Sequence, residues 1–130
     1  MNRYFFNMKK VKITPFNFLS SDERGTTIEF PIERMGNSLF AFRKAGTLSG
    51  NHYHKGIENN KNPEILWVLQ GELKLRYKQV EDDNWKEELV KGPSKVEIFP
   101  NIIHVLEGIT DFCMLELNSL QQHINDTFKV

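Results

Sequence analysis

The sequence predicts an all-β protein that folds as a single domain. Short runs of strand-forming residues alternate with Gly, Pro and Asn turn signals, a spacing typical of a β-sandwich or barrel. Phenylalanine occurs 10 times, which favours strands around a thick core. The 130 residues contain no repeat, low-complexity tract or linker, so we assign residues 1–130 to one domain.

The strand-like runs follow one another along most of the chain. Before residue 118 no segment combines the 3.6-residue period of a helix with capping residues. The tail from Asn118 to Val130 is compatible with one helical turn at SLQQHI or with an extended segment that lies on the barrel. The predicted strands are residues 12–19, 26–31, 38–45, 51–55, 64–70, 72–80, 85–90, 95–99, 102–106 and 111–117.

The best-defined unit is EILWVLQGELKLRYK, residues 64–78, in which two strand-like runs meet at Gly71. Glycine tolerates positive φ, so a sharp reversal or bulge is expected there. In the second run apolar and charged residues alternate, as in a strand with one solvent-exposed face. The first run is apolar on both faces, so both faces need cover from within the chain or from another subunit. Partly on this ground we predict a homodimer.

The charge balance and the cysteine count limit the classes of function. The 17 Lys and Arg residues balance 17 Asp and Glu residues, which argues against a large nucleic-acid-binding surface. The single cysteine excludes an intramolecular disulfide and fits a reducing compartment. No apolar run approaches the ~20 residues that cross a membrane, and MNRYFFNMKK lacks the apolar region of a secretory signal. We expect a cytoplasmic protein without nucleic-acid or membrane partners.

Two histidines, His52 and His54, are the first candidates for chemistry. Alternate residues of a strand point to the same face, so both imidazoles can converge on one point inside a barrel. Imidazole nitrogens bind zinc, iron, nickel and copper. The pair by itself also fits two ordinary polar histidines.

The residues around this pair resemble the first motif of the cupin superfamily, G-x5-H-x-H-x3/4-E-x6-G. Gly46 precedes His52 by five intervening residues, and Glu64 precedes Gly71 by six. The departure is the interval after His54, where nine residues, KGIENNKNP, replace three or four. Their turn-forming composition indicates a loop inserted between strands, which leaves the strand geometry intact. Glu58 stands at the usual spacing after His54, but Glu64 is preferred as the carboxylate because it opens the apolar strand.

The segment VEIFPNIIHVLEG resembles the second cupin motif more loosely. It supplies Pro100 and His104, although the usual glycine after the proline is replaced and the interval to the histidine is one residue short. The resemblance covers about residues 38–117 and implies a double-stranded β-helix, the jelly-roll barrel of cupins. It also implies one divalent transition metal, zinc first and iron, manganese or nickel as alternatives. The implied ligands are His52, His54, Glu64 and His104.

Within the cupins, GNHYHK and EILWVLQGELKLRY are most similar to the metal-binding domain that ends certain capsular-polysaccharide sugar-nucleotide enzymes. This resemblance implies a nucleotide-linked keto-deoxysugar as ligand and an isomerase or epimerase in surface-polysaccharide biosynthesis. A metal-dependent dioxygenase and a non-catalytic ligand-binding or regulatory cupin stay open as alternatives. No catalytic base is identified. Arg43 and Lys55 flank the predicted site in sequence and are candidates for phosphate contacts, although surface solvation explains both.

Three further residues receive structural interpretations. His123 lies in the polar tail and is predicted to be solvated. Cys113 alternates with leucines and is predicted to be a buried strand residue. Glu116 shares a strand face with Phe112 and Met114, which is unusual for a carboxylate and indicates either a pocket group or a position at the barrel rim.

Overall fold

The computed structural model describes residues 10–130 and confirms an all-β protein with one short helix. The expectation about a secretory signal in MNRYFFNMKK concerns residues 1–10, of which residues 1–9 lie outside the described range. The elements in chain order are β1 (Val11–Pro15), β2 (Phe18–Asp22), β3 (Gly25–Ile28), β4 (Leu39–Arg43), β5 (Leu48–Tyr53), β6 (Glu64–Gln70), β7 (Glu72–Gln79), β8 (Lys86–Lys91), β9 (Ser94–Ile98), β10 (Ile102–Gly108), β11 (Phe112–Glu116), α1 (Leu120–Asn125) and β12 (Phe128–Lys129).

Two five-stranded antiparallel sheets form the body of the fold. The first sheet has the order β1-β9-β6-β11-β4 and the second has the order β12-β5-β10-β7-β8. Strands adjacent in sequence therefore often lie in different sheets, as in a jelly roll. Strands β2 and β3 form a separate two-stranded hairpin.

The core lies between the two sheets. Alternate residues of each strand point inward, such as Leu66 and Val68 of β6 and Leu73 and Leu75 of β7. This alternation matches the predicted pattern of residues 64–78. Gly71 joins the two strands at φ +94°, and a Cβ at this position would lie 2.2 Å from the carbonyl oxygen of Asp111. The predicted reversal at this glycine is confirmed.

The outer face of β6 is covered from within the chain. Ile65 and Trp67 are buried on this face, and Phe16 and Phe30 of the N-terminal segment pack against them. The rings of Phe30 and Trp67 meet edge to face with centroids 4.4 Å apart. Burial of both faces of β6 was one reason to predict a homodimer, and this packing removes that reason. The homodimer itself stays a prediction.

The sequence prediction was wrong at the N-terminal strands. Residues 12–19 do not form one strand, because the chain leaves the first sheet after Pro15 and Phe16 turns onto Trp67. The residues that follow begin β2, which pairs only with β3 in the described part of the chain. The predicted strand 64–70 has the ends of β6, and the other predicted strands are present with shifted ends. Cys113 is half-buried, not buried as predicted.

The ambiguous C-terminal tail contains both a helical turn and a short strand. Helix α1 begins with a capping box, in which Ser119 and Gln122 exchange hydrogen bonds between side chain and backbone. Strand β12 then pairs with β5, so that Lys129 lies opposite His52. The C-terminal segment therefore lies directly against the strand that carries the histidine pair. Within residues 10–130 no helix has the length and apolar character needed to cross a membrane.

Candidate metal centre

The histidines of the two cupin-like motifs lie on neighbouring strands. His52 of β5 is paired directly with His104 of β10, and the register shifts at the next residue of β10. A β-bulge at Gly50 and Asn51 causes this shift, and both residues have positive φ, +96° and 62°. A Cβ on Gly50 would lie 2.7 Å from the carbonyl oxygen of His104, so the close approach of the two strands requires glycine.

Three imidazoles meet inside one end of the barrel. Ligand atoms of His52, His54 and His104 all lie within 4.8 Å of one another. His54 and His104 are buried, and His52 is half-buried. Burial, together with the neighbouring His104 and His54, lowers the pKa of His52 to about 3. His52 is therefore neutral near pH 7, which is the form of imidazole that binds metals.

Backbone carbonyls orient two of these rings. His54 Nδ1 lies 2.6 Å from the carbonyl oxygen of Asp126, and His104 Nδ1 lies 3.0 Å from that of Ile102. A carbonyl can only accept a hydrogen bond, so each Nδ1 carries a proton and donates it. In a neutral ring this leaves a lone pair on Nε2. Metal-binding histidines commonly have this outer hydrogen bond, because it sets both the tautomer and the orientation of the ring.

Glu64 faces both of these Nε2 atoms. Its Oε2 lies 3.0 Å from His54 Nε2, and its Oε1 lies 3.3 Å from His104 Nε2. Within residues 10–130, His54 Nε2 is buried without a hydrogen-bond partner. Two imidazole lone pairs that face a carboxylate repel it unless a proton or a metal ion lies between them. The structure brings Glu64 to His54 and His104, and His52 adjoins them through the three-imidazole cluster. Imidazole nitrogen and carboxylate oxygen are donor types that fit a divalent transition metal.

The groups around Glu64 favour the charged form of its carboxyl. Burial alone would raise the pKa of this carboxyl, but hydrogen bonds from His104 and His54, which these rings donate when they are protonated on Nε2, and the charge of Lys61 lower it well below its usual range. Glu58, the alternative carboxylate, lies outside this cluster and accepts a hydrogen bond from Asn125 at 3.2 Å.

A lysine that sequence reasoning missed lies next to the histidines. Lys61 belongs to the nine-residue insertion and its side chain is fully buried. Its Nζ donates hydrogen bonds to Glu64 Oε2 and, at 3.1 Å, to Glu116 Oε2, and it lies 3.1 Å from His123 Nδ1. A lysine in an Asn-rich, loop-like stretch gives no sequence signal of burial, because lysine is among the residues least often buried.

Glu116 and His123 complete the polar end of the barrel. Their side chains are 15% and 26% exposed, and His123 Nδ1 lies 3.2 Å from Glu116 Oε2. The predicted solvation of His123 is therefore wrong, because helix α1 brings this ring over the histidine cluster. Of the two interpretations of Glu116, a pocket group or a position at the barrel rim, its contacts with Lys61 and His123 support the pocket group. Burial would raise its pKa, but His123, Lys61 and Asn118 together lower it.

The two candidate phosphate ligands lie apart from each other. Arg43 pairs with Phe112 at the Gln70 end of the first sheet and donates to Ser49 Oγ at 2.9 Å. Gln70 lies six positions after Glu64 along β6, which is about 20 Å in a strand. The Nζ of Lys55 lies 4.1 Å from the ring centroid of Phe128. The structure thus brings Lys55, but not Arg43, to the histidine end of the barrel.

The described structure resembles solved structures of sugar-nucleotide enzymes. A 3,4-ketoisomerase, QdtA from Thermoanaerobacterium thermosaccharolyticum, solved as a double mutant with TDP, is 20% identical over 95% of this chain and 89% of that chain, with a TM-score of 0.72. A 3,5-epimerase, RmlC from Legionella pneumophila, is 19% identical over 92% and 72%, with a TM-score of 0.64. The chain has the cupin fold. The predicted jelly-roll barrel is thereby confirmed.

A third similar structure is CapF of Staphylococcus aureus, a capsular polysaccharide assembling protein. This chain is 26% identical to it over 89% of its own length, with a TM-score of 0.57, and matches 34% of the CapF chain. The match agrees with the resemblance to one domain of capsular-polysaccharide enzymes. No protein-family model matches the chain, and no curated protein matches its sequence.

Proposed function

We propose that this protein is a metal-dependent isomerase or epimerase of nucleotide-linked keto-deoxysugars in surface-polysaccharide biosynthesis. The observation that carries the proposal is the arrangement of His54 and His104, whose Nε2 lone pairs are directed at the Glu64 carboxylate. The similar structures support the substrate class, because they include a 3,4-ketoisomerase with TDP and a 3,5-epimerase with dTDP-4-keto-L-rhamnose.

The proposed ligands are His52, His54, Glu64 and His104. Three imidazoles and one carboxylate suit zinc first, and iron, manganese or nickel are alternatives. A divalent ion held by these residues would supply a Lewis acid, which polarises a carbonyl oxygen and makes the C–H bond on the neighbouring carbon more acidic.

His123 is the side chain that we assign as general base. It is partly exposed at the barrel end, and its ring centroid lies 5.5 Å from that of His52. Glu116, 3.2 Å from its Nδ1, orients the ring and stabilises the charge that the ring acquires with a proton. The imidazole takes the proton from the carbon beside the carbonyl. In a ketoisomerisation the imidazolium then returns this proton to the former carbonyl carbon, while the hydroxyl proton of the first carbon moves to the former carbonyl oxygen.

The first experiment measures the metal content of purified protein by inductively coupled plasma mass spectrometry. The native protein is expected to carry about one divalent ion per chain, and His52→Ala is expected to lose it. His123→Ala is the matched control, because it removes an imidazole from the same end of the barrel that is not among the four ligands proposed for this ion. Equal metal content in all three proteins would contradict the centre.

The second experiment tests turnover. TDP-4-keto-6-deoxyglucose, which is bound in a solved structure of the ketoisomerase, is incubated with the protein in deuterated water. Mass spectrometry is expected to show deuterium in the sugar, and the exchange rate should fall by about 100-fold in His123→Ala, the range for loss of a general base. Binding without exchange would contradict the enzyme and support a ligand-binding cupin.

We also infer that the protein is a cytoplasmic homodimer. Strands β2 and β3 form a two-stranded hairpin, an arrangement that is marginally stable in water without cover. Phe18 and Leu19 of this hairpin are exposed, as are Ile32 and Met35 after it. A second copy of the chain would cover these apolar side chains. The single Cys113 fits a reducing compartment such as the cytoplasm.

A further inference from the structure

The buried ammonium of Lys61 lies in a cluster of atoms that are themselves metal-ligand types. Glu64, Glu116 and His123 each offer one ligand atom, and these atoms lie within 4.8 Å of one another. Carboxylate oxygen and imidazole nitrogen are common ligands of divalent transition metals. Two carboxylates this close repel each other when buried, so the cluster requires a cation. Lys61 supplies that cation.

This cluster adjoins the three-imidazole centre, and Glu64 belongs to both. One Glu64 oxygen, Oε1, faces His104 Nε2 at 3.3 Å, whereas Oε2 accepts from Lys61 Nζ and lies 3.0 Å from His54 Nε2. The end of the barrel therefore offers two neighbouring cation positions that share one carboxylate. The arrangement has the layout of a two-metal site in which an ammonium holds the second position.

Lys61 is held firmly in this position by its own loop. The guanidinium of Arg34 donates hydrogen bonds to the carbonyl oxygens of Asn60 and Pro63, at 2.7 and 2.6 Å. The carboxylate of the buried Asp126 accepts from the backbone amides of Lys55 and Glu58, at 2.8 and 3.0 Å. The insertion that departs from the cupin motif is therefore an ordered segment that delivers a charge to the centre.

We propose that Lys61 acts as a protein-borne cation in a second metal position and thereby restricts the centre to one metal ion. The proposal rests on the proposed function for the first position only. The second position is defined by Glu64, Glu116 and His123 and by the ammonium that they surround. If Lys61 is shortened, a divalent ion such as zinc or manganese should take its place, because the same ligands then face an unneutralised cavity.

The test compares metal stoichiometry in native protein, Lys61→Ala and the double variant Lys61→Ala/Glu116→Gln. Each is refolded or dialysed with excess ZnCl2, passed over a desalting column, and analysed for zinc per chain. We expect one zinc in native protein, two in Lys61→Ala, and one again in the double variant. With manganese, Lys61→Ala alone should show the paramagnetic resonance signal of two coupled ions.

The difference between Lys61→Ala and native protein decides this inference, and the native value decides the proposed metal centre. No zinc in native protein and one zinc in Lys61→Ala would overturn the proposed metal centre and support the role of Lys61. One zinc in each of the two proteins would overturn the role of Lys61 and leave the proposed metal centre in place. Lys61→Ser is prepared in parallel. If neither variant folds with zinc in excess, the ion cannot replace the ammonium and the inference is wrong.

Discussion

Only five residues lie between Glu58 and Glu64, yet the surroundings of the two carboxylates differ completely. Glu64 begins β6 with its side chain on the inner face, where two imidazoles and a lysine surround it. Glu58 remains in the insertion, where its carboxylate accepts from Asn125. Because an inner-face position on a strand directs a side chain into the barrel, the choice between the two carboxylates follows from strand geometry and not from the usual spacing after His54.

This difference predicts unequal effects on metal affinity. Glu64→Gln removes the charged ligand and should weaken zinc binding by more than about 100-fold, the upper range for loss of an outer hydrogen-bond partner alone. Glu58→Gln, the matched control, should leave affinity within about twofold. Competition with a zinc-chelating dye measures both. Similar affinities in the two variants would remove Glu64 from the ligand set.

At the scale of elements, the bulge in β5 connects backbone conformation to the site. Gly50 permits close contact with β10, and the extra residue, Asn51, restores the direction of His52 towards His104. The α1 helix and β12 act on the same strand from the other side, because β12 pairs with β5 and Asp126 between them orients His54. The histidine pair is thus positioned by β10, α1 and β12, all of which are distant from β5 in sequence.

The bulge predicts a costly glycine substitution. Gly50→Ala should lower the free energy of unfolding by about 2–4 kcal/mol, because it adds a clash with the His104 carbonyl to the strain of positive φ. Gly36→Ala is the matched control, since Gly36 has φ +97° but nothing within 4 Å of the added Cβ. Its cost should be about 1 kcal/mol. Urea unfolding measures both values, and equal costs would show that the close approach to β10 is unimportant.

At the scale of the whole molecule, apolar surface is distributed unevenly. The outer face of β6 is closed by Phe16 and Phe30, whereas the hairpin of β2 and β3 exposes Phe18 and Leu19. An exposed hairpin with apolar side chains is a surface that association can bury. The reason to predict a dimer is therefore the exposed hairpin and not the outer face of β6.

A dimer through the hairpin predicts a concentration-dependent mass. Sedimentation equilibrium should give twice the chain mass of 15.3 kDa for native protein. The double variant Phe18→Ser/Leu19→Ser should shift the equilibrium to the monomer, because it removes apolar area from the interface. Leu89→Ser, which changes an exposed leucine of β8, is the control and should remain dimeric. A monomeric native protein at all concentrations would contradict the dimer.

The sequence by itself determined the fold class, most of the strands and the four proposed ligands. These features depend on local patterns: the alternation of residues 72–79, the two-residue spacing of His52 and His54, and the six residues between Glu64 and the turn at Gly71. A strand presents side chains with a period of two, so the residues that face the barrel interior can be read from a short stretch of chain.

Only the tertiary structure decided the surroundings of those ligands. It buried Lys61, brought His123 and Asp126 to the centre, and covered Trp67 with Phe30. These contacts join residues far apart in sequence, and no local period encodes them. Lysine is also among the residues least often buried. The free-energy cost of burying its charge is offset here by two carboxylates that only the folded chain brings close to it.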